Sequence, residues 1–598
     1  MKPMGAWIKD PQNAEVSFRV FAFDKPEISL VVQSKDRVEL FPMTEERPHV
    51  YTATVTGLGL DLLYKFRLAN DKNFPDPYSH FQPFGVHEFS QVVNHQTYTW
   101  HDQSWPGRDL EEMVIYELHV GTFTAEGTFR AAAAKLDYLL ELGVNTLELM
   151  PLAQTPGRWN WGYDGVFLFS VNHNYGTPDD LKYLIDQCHQ KGLAVLLDVV
   201  YNHLGPEGNY LPEFGPYFTY KHETPWGAAV NYDDAFCEFT RQMVLDNVTH
   251  WIENYHFDGL RLDAVHAILD DSELHILQEI SQTVKKLAAQ QGRRLVVIAE
   301  TDENNVKLIN PIDQGGYGID AQWMDDFHHC IHTVLTGELD GYYLDYGRIK
   351  DFEKVFKNYL YTGEYSRFLK KNRGSDASAN PGKQFVVATQ NHDQVGNRAQ
   401  GERLSQLVEF PYLKAAAGLV LISPYLPLIF MGEEYAEKNP FQFFTDFTDP
   451  DLKDAVVKGR QKEFQRFSWG KAPNPQDPAT FYRSKLTPRT EWDDQNKFMF
   501  AFYRDLLALR RTHPVLRVLD KFNLEVQVQE ELRLITVRRW RENRELIALF
   551  NLGQENRPLP YPGAHLLNSE WPIYGGSVEG ESQILTPGNL IILESPRG

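Results

Sequence analysis

Apolar and polar positions change rhythm twice along the chain. Up to about residue 100 they alternate in short runs: VSFRVFAF (16–23), ISLVVQ (28–33), YTATVTGL (51–58) and LYKFRLAN (63–70). Pro, Gly, Asp and Asn bound each run, which predicts half-buried strands joined by turns, a small β-sandwich. A stretch carrying Pro75, Pro77, Pro83 and Pro106 predicts an extended linker. From about residue 113 the runs become almost continuously apolar and alternate with amphipathic helical windows. MVIYELHV (113–120), VNTLELMPL (144–152), LAVLLDVVY (193–201), FDGLRLDAV (257–265), LVVIAE (295–300), IDAQW (319–323), QFVVATQ (384–390) and LPLIFMGEE (426–434) read as eight buried parallel strands. Helices are predicted at about 128–142, 178–191, 235–254 and 273–291. An irregular stretch at about 435–498 precedes a further helix, FMFAFYRDLLALRRTHP. Beyond about 520, LEVQVQ, LRLITVRR, ELIALFNL and NLIILES return to strands.

Strand–helix alternation specifies a parallel α/β sheet, and eight units suit a (β/α)8 TIM barrel. A doubly wound sheet fits the same alternation. The predicted architecture is a barrel with an N-terminal β-sandwich and a small C-terminal β-domain. The divisions are 1–105 (immunoglobulin-like, of the carbohydrate-binding-module kind), 106–517 and 518–598.

Composition narrows the partners. The 598 residues carry 59 basic and 81 acidic side chains, a formal net charge of −22. Phosphate polymers and anionic membranes would be repelled, so neither a nucleic-acid nor a membrane partner is expected. Cys188, Cys237 and Cys330 are too few, and odd in number, for a disulfide framework. No C-x-x-C or H-E-x-x-H spacing occurs and no cluster of oxygen ligands stands out, so no metal or other cofactor is expected. No apolar run reaches 18 residues, and MKPMGAWIKDPQNAEVSF has no apolar core of a leader. The expected setting is the cytoplasm.

Barrel enzymes place their chemistry at the C-terminal ends of the strands. Polar residues gather at six such ends: Asp198, Asn202 and His203 at the third; Arg261, Asp263 and His266 at the fourth; Glu300 at the fifth. The sixth runs into Asp325, Asp326, Phe327, His328 and His329, the seventh into Asn391, His392 and Asp393, and the eighth into Glu433 and Glu434. A single one reads equally well as a strand cap or an ion-pair partner; six at the same end read as a site. Two close carboxylates suit double displacement at a sugar carbon, one attacking and the other protonating the leaving oxygen. A third carboxylate would raise its neighbour's pKa and hold hydroxyls as positive charge develops. Arg261, two residues before Asp263 on the same strand face, would keep that carboxylate ionised.

DVVYNH (198–203), GLRLDAVHA (259–267), AETD around Glu300 and QNHD (390–393) resemble, in order, the four sequence blocks of the α-amylase superfamily. The resemblance implies that Asp263 is the nucleophile, Glu300 the acid/base and Asp393 the transition-state stabiliser. His203, Arg261 and His392 would hold the sugar at the cleavage subsite, with Tyr163 of WNWGYDG stacked beneath it. A closer match runs through nearly the whole chain. DPYSHFQPFGVHEFSQVVN (76–94), YELHVGTFTAEGTF (116–129), GLRLDAVHAI (259–268), QNHDQVGNRAQGERL (390–404) and DPATFYRSKL (477–486) look like the maltooligosyltrehalose trehalohydrolases. That implies cleavage of the α-1,4 bond next to the terminal trehalose of maltooligosyl trehalose, action on related α-1,4-glucans, and a pathway link to a maltooligosyltrehalose synthase. Debranching and branching enzymes share the layout and form a second reading; a non-catalytic glucan-binding scaffold is a third, opposed by the intact acid trio.

Many amylases carry Lys-His three and four residues after the nucleophile, where this chain has His266 and Ala267. Those positions should face the leaving-group sugar, which fits an altered leaving group; drift at a tolerant loop is the plainer account. Asp302 and the 394–398 segment with Gln394, Asn397 and Arg398 follow strands five and seven and can reach the same side. Residues 325–329 follow strand six and should face the substrate, although Asp325 or Asp326 would equally serve as helix caps. Trp159, Trp161 and Trp226 could stack on glucose or simply pack. The N-terminal sandwich is expected to close one side of the cleft rather than to bind glycan.

Overall fold

The computed structural model describes residues 3–34, 37–68, 72–224, 227–464 and 469–597. At its centre eight parallel strands close on themselves. They are β1 (Ile115–Leu118), β2 (Thr146–Leu149), β3 (Ala194–Val199), β4 (Gly259–Leu262), β5 (Val296–Ala299), β6 (Ala321–Trp323), β7 (Phe385–Ala388) and β8 (Leu426–Phe430). The first and last pair directly, Ile115 opposite Leu428, so the doubly wound alternative does not occur. Each strand is shorter than its apolar run because the polar residues at the end of the run leave the ladder and turn over the barrel mouth. Alternate side chains point inward, and Ile115, Leu196, Val296, Ile298, Ala321, Val386 and Leu428 fill the interior below the mouth. Gly259 opens β4 where a Cβ would lie 2.2 Å from the Val296 carbonyl oxygen, so only glycine lets β4 and β5 approach.

Helices Pro178–Gln190, Cys237–Tyr255 and Ile276–Gln291 lie where their apolar spacing predicts. The window at 128–142 divides into Phe129–Ala133 and Leu136–Leu142. Two hairpins the pattern did not announce stand above the barrel, Phe218–Thr224 with Gly227–Val230 and Thr362–Ser366 with Lys371–Gly374.

The N-terminal part is two antiparallel sheets. Gly5–Asp10, Glu15–Phe21, Val50–Thr56 and Thr44–Arg47 form one; Arg37–Pro42, Ser29–Ser34, Leu63–Arg67, Asn73–Phe74 and Ser90–Gln91 form the other. They share a core in which Phe18 meets Tyr64 at 4.9 Å. Residues 69 and 70 of the run LYKFRLAN lie outside the described residues. The proline-rich stretch is not a free linker: Tyr78 is buried, and Asp76 accepts hydrogen bonds from the Tyr64 hydroxyl (2.6 Å) and the Tyr78 N–H (2.8 Å). Prolines remove donors there, and one buried carboxyl supplies acceptors in place of a ladder. At the far end, Leu524–Gln529, Leu534–Arg541, Arg544–Asn551, Leu590–Pro596 and Ala564–Asn568 make a five-stranded antiparallel sheet. It packs on helix Phe410–Ile422, where a Cβ at Gly418 would collide with Leu590.

Candidate active site

The mouth of the barrel is organised around one buried guanidinium. Arg261 leaves β4 with no solvent exposure and lies over the face of Trp323 from β6, 4.2 Å from the ring centre. Its Nη1 donates to Asp198 Oδ2 of β3 (2.8 Å) and to Asp263 Oδ1 (2.9 Å), while Nη2 lies 3.7 Å from Glu300 Oε2. Arg261 and Asp263 are two residues apart on a strand, which puts both on the inner face. The next residue, Ala264, takes a left-handed conformation (φ 38°, ψ 53°). That turn aims its N–H at Glu300 Oε2, 2.6 Å away.

Glu300 is driven to hold its proton. Burial pushes its carboxyl well above the ordinary range, and although Arg261 opposes this, the charges of Asp263, Asp393 and Asp325 reinforce it. Oε2 already accepts the Ala264 N–H, so the proton belongs on Oε1. Asp263 instead has a fixed positive charge in hydrogen-bond contact. One guanidinium therefore sits between two carboxyls in unlike surroundings, in hydrogen-bond contact with Asp263 and 3.7 Å from Glu300.

The third carboxylate is held from the side. Asn397 Nδ2 donates to Asp393 Oδ1 (2.9 Å), and Arg460 Nη1 donates to Asn397 Oδ1 (2.9 Å). Gln394 caps its own short helix through the Asn391 N–H (3.0 Å) and reaches Asp325 Oδ1 (3.2 Å). Burial pushes the Asp325 carboxyl up to about 7, and the Asp302 and Asp393 charges add to the effect. Asp302, Asp325 and Asp393 thus share one rim of the mouth.

His392 stacks on Tyr163, ring centres 5.1 Å apart. The Tyr163 hydroxyl lies 2.6 Å from Asp198 Oδ2 and 2.8 Å from His392 Nε2, and His203 Nε2 donates to the Tyr163 carbonyl (3.0 Å). One face of Tyr163 is therefore taken by His392. Asn202 is buried beside this group, its side-chain amide without a hydrogen bond among the described residues.

The sequence reading missed Glu117. This β1 side chain is buried and accepts both the His392 N–H (2.9 Å) and His392 Nδ1–H. Burial opposes charge on His392, yet the Glu117 and Asp393 carboxylates outweigh it, and the imidazole is pushed up to about 9. A lone carboxylate inside the apolar run MVIYELHV was the available signal, because a buried charge needs a partner. Glu148, opposite Glu117 in the β1–β2 register, shows the same signal. Burial, then the Glu117 charge, hold it well above the usual carboxylate range.

Several expected binding residues are engaged within the protein. Asp326 is wholly buried and anchors its surroundings: it accepts from Asn304 Nδ2 (2.7 Å), the Leu360 N–H (2.7 Å) and the Tyr346 hydroxyl (2.6 Å). Phe327 packs against Phe356 at 5.2 Å. His328 is held between the Thr389 carbonyl (2.6 Å) and the Tyr343 hydroxyl (3.1 Å). Helical periodicity explains this, since successive residues of helix Asp325–Thr336 point in different directions and only some can face the cleft. His329, also buried, donates back to the Asp325 carbonyl from Nδ1 (2.7 Å). Arg398 is spent on a two-pronged ion pair with Glu338 (2.6 and 2.9 Å) and covers Trp469. Trp159 stacks on Phe481 and Trp161 on Phe441, both buried, so they pack rather than present a sugar platform; Trp226 lies outside the described residues. Glu433 and Glu434 turn outward to the hydroxyls of Tyr503 (2.5 Å) and Tyr116 (2.9 Å), and burial pushes both to about 7.

His266, by contrast, is exposed on the turn after Asp263. With Asp302, Lys371, Asn372 and Arg373 it lines a cavity of about 520 Å³. The far wall is the hairpin that carries Lys371–Gly374, so this side of the mouth is a polar pocket built from two barrel loops and an insertion.

Known proteins resemble this chain along most of its length. The family profile for the alpha amylase catalytic domain matches residues 54–224. The malto-oligosyltrehalose trehalohydrolase of Saccharolobus solfataricus is 45% identical over 83% of this chain and 85% of its own length. A crystal structure from Salmonella typhimurium, of a protein described as an alpha amylase, superposes with a TM-score of 0.90 at 38% identity and covers all of both chains. The 1,4-alpha-glucan branching enzyme GlgB of Geobacillus stearothermophilus is similar at 29% over 63% of this chain and 60% of its own.

Proposed function

Because the chain belongs to the malto-oligosyltrehalose trehalohydrolase family, with an alpha amylase catalytic barrel, we propose that it hydrolyses the α-1,4-glucosidic bond next to the terminal trehalose of a maltooligosyl trehalose, releasing trehalose and a maltooligosaccharide. The observation that carries the reading is the pair of unlike carboxyls on either side of Arg261. Asp263 attacks the anomeric carbon. As that bond forms, the glycosidic bond breaks, and its oxygen leaves with the Glu300 Oε1 proton. Glu300, now a carboxylate, takes a proton from water as the water displaces Asp263, which restores both groups. Asp393 holds ring hydroxyls while positive charge develops. Tyr163, Asn202, His203, Arg261 and His392 shape the cleavage subsite.

Selectivity belongs to the leaving-group side. His266 and Asp302 line its polar pocket, and Gln394 and Asp325 are joined at the rim. Trehalose differs from maltose there by its bent α,α-1,1 linkage and its lack of a free reducing end. Polar groups left unpaired by the wrong sugar cost about 1–3 kcal/mol each, so two or three misfits give roughly 10²-fold discrimination or more. Maltotetraosyl trehalose should therefore exceed maltohexaose in kcat/KM by at least about 10²-fold, and the maltooligosaccharide should appear first as its α-anomer, as double displacement demands. Equal rates on the two substrates, or a preference for branched glucan, would favour the debranching or branching reading; initial β-anomer would refute the covalent step.

The same reading assigns the chain to the cytoplasm, downstream of a maltooligosyltrehalose synthase. It keeps the division into an N-terminal β-sandwich (1–105), a catalytic barrel (106–517) and a C-terminal β-domain (518–598). Among the described residues no helix is long and apolar enough to cross a membrane.

A further inference from the structure

The barrel end opposite the catalytic mouth carries a second cavity, of about 570 Å³. It lies where the chain enters β1, β2 and β7, against the last turn of helix Asp494–Thr512 and the adjoining C-terminal sheet. Its lining is basic: Arg108, Lys383, Arg510, Arg511, Arg517 and Arg541, against Glu111 and Glu112 alone. That concentration occurs in a chain of net charge −22.

Local structure accounts for half of these cations. Lys383 pairs with Glu111 (2.6 Å), and Arg108 bonds the Gly192 carbonyl (2.6 Å) and lies 3.5 Å from Glu112. Arg510 spends its guanidinium on the carbonyls of Leu421, Ser423 and Tyr425. Both acids are thereby engaged. Arg511, Arg517 and Arg541 are exposed, and among the described residues their side chains have no ion pair and no hydrogen bond. They come from a helix end, the segment after it and a strand of the C-terminal sheet. Among the described residues nothing neutralises the three, which leaves their guanidinium forks open to an anion that enters the cavity. Guanidinium forks match phosphoryl oxygens in two-pronged geometry. The walls between them are apolar, with Met113, Val114, Leu507 and Leu519. A cavity of this size and mixture suits a small organic anion, not a polymer.

We propose that this cavity is a binding site for a small phosphorylated organic molecule, its phosphoryl group held by Arg511, Arg517 and Arg541 and its carbon skeleton resting on the apolar wall. The site is separate from the glucan cleft and does not depend on the reaction assigned to it.

Titration calorimetry on the full chain at about 0.15 M salt tests this with two probes, inorganic pyrophosphate and glucose 6-phosphate. Saturable binding of one equivalent is expected, undisturbed by saturating maltohexaose. The double variant Arg511→Gln, Arg517→Gln changes only exposed side chains. It should bind at least about tenfold more weakly, because two charge-assisted contacts are lost, with kcat/KM on glucan unchanged in anion-free buffer. Binding of pyrophosphate without glucose 6-phosphate would overturn the organic part of the assignment. No saturable binding of either probe, equal binding by the variant, or displacement by maltohexaose would overturn the site.

Discussion

At the scale of single residues the site depends on the unlike fates of chemically similar groups. Asp263→Asn, Glu300→Gln and Asp393→Asn should each lower kcat by at least about 10³-fold with the fold retained, since each removes a group that acts only in the transition state. A near-native rate for the Asp263 variant in steady-state assays would sink the assignment. Glu117 supports a second prediction as a positioning residue, one that acts through His392. Its carboxylate keeps the imidazole charged up to about pH 9. The sign follows: activity that needs imidazolium is complete below the ordinary histidine value and is lost as pH rises through about 9. Glu117→Gln leaves burial as the leading influence, so the alkaline limb of kcat/KM should move toward acid by about a unit or more, chiefly through KM. An unchanged pH profile would show that Glu117 is only structural. The trio was legible in the sequence because each member sits where an apolar run turns polar. Glu117 was passed over because it lies within a run, where the alternation that points it inward is hidden by apolar residues on both faces.

Among the elements, helix Asp325–Thr336 shows how reading and structure part. The sequence places DDFHH after β6, and that position is correct. Which side chains face the cleft is decided by the helix's rotation, and Asp326 turns inward to tie together Asn304, Leu360 and Tyr346. Leaving a buried donor without its acceptor typically costs about 1–3 kcal/mol, and Asp326 serves three. Asp326→Ala should therefore lower the thermal midpoint by several degrees, whereas Asp325→Asn should act mainly on substrate affinity. Scanning calorimetry beside KM would check the pair; equal midpoints for wild type and the Asp326 variant would remove the anchoring role. The hairpin Lys371–Gly374 was not legible, because its strand KNRG has no apolar alternation and gains its form from the cleft it borders.

For the whole molecule, the division of labour follows from what a chain can encode locally. Apolar period, turn residues and the polar ends of eight runs determined eight parallel strands and the carboxylates at one end of them, because burial and backbone pairing act on neighbours in sequence, while the pairing of the first strand with the last, which makes the sheet a barrel, came from the structure. Three things needed the closed structure. Arg261 meets Asp198 and Glu300 only when β3, β4 and β5 stand side by side. Glu300 is held protonated by burial among charges that come from β4, β6 and β7, none adjacent to it in the chain. The arginines at the opposite end come from the last turn of a helix, the segment beyond it and a strand of the C-terminal sheet. Electrostatic interactions and desolvation depend on distance through space and on what surrounds a charge. The sequence therefore determined which groups the protein possesses and the frame that carries them, while closure of that frame decided which groups meet, which stay protonated and which turn away from the cleft.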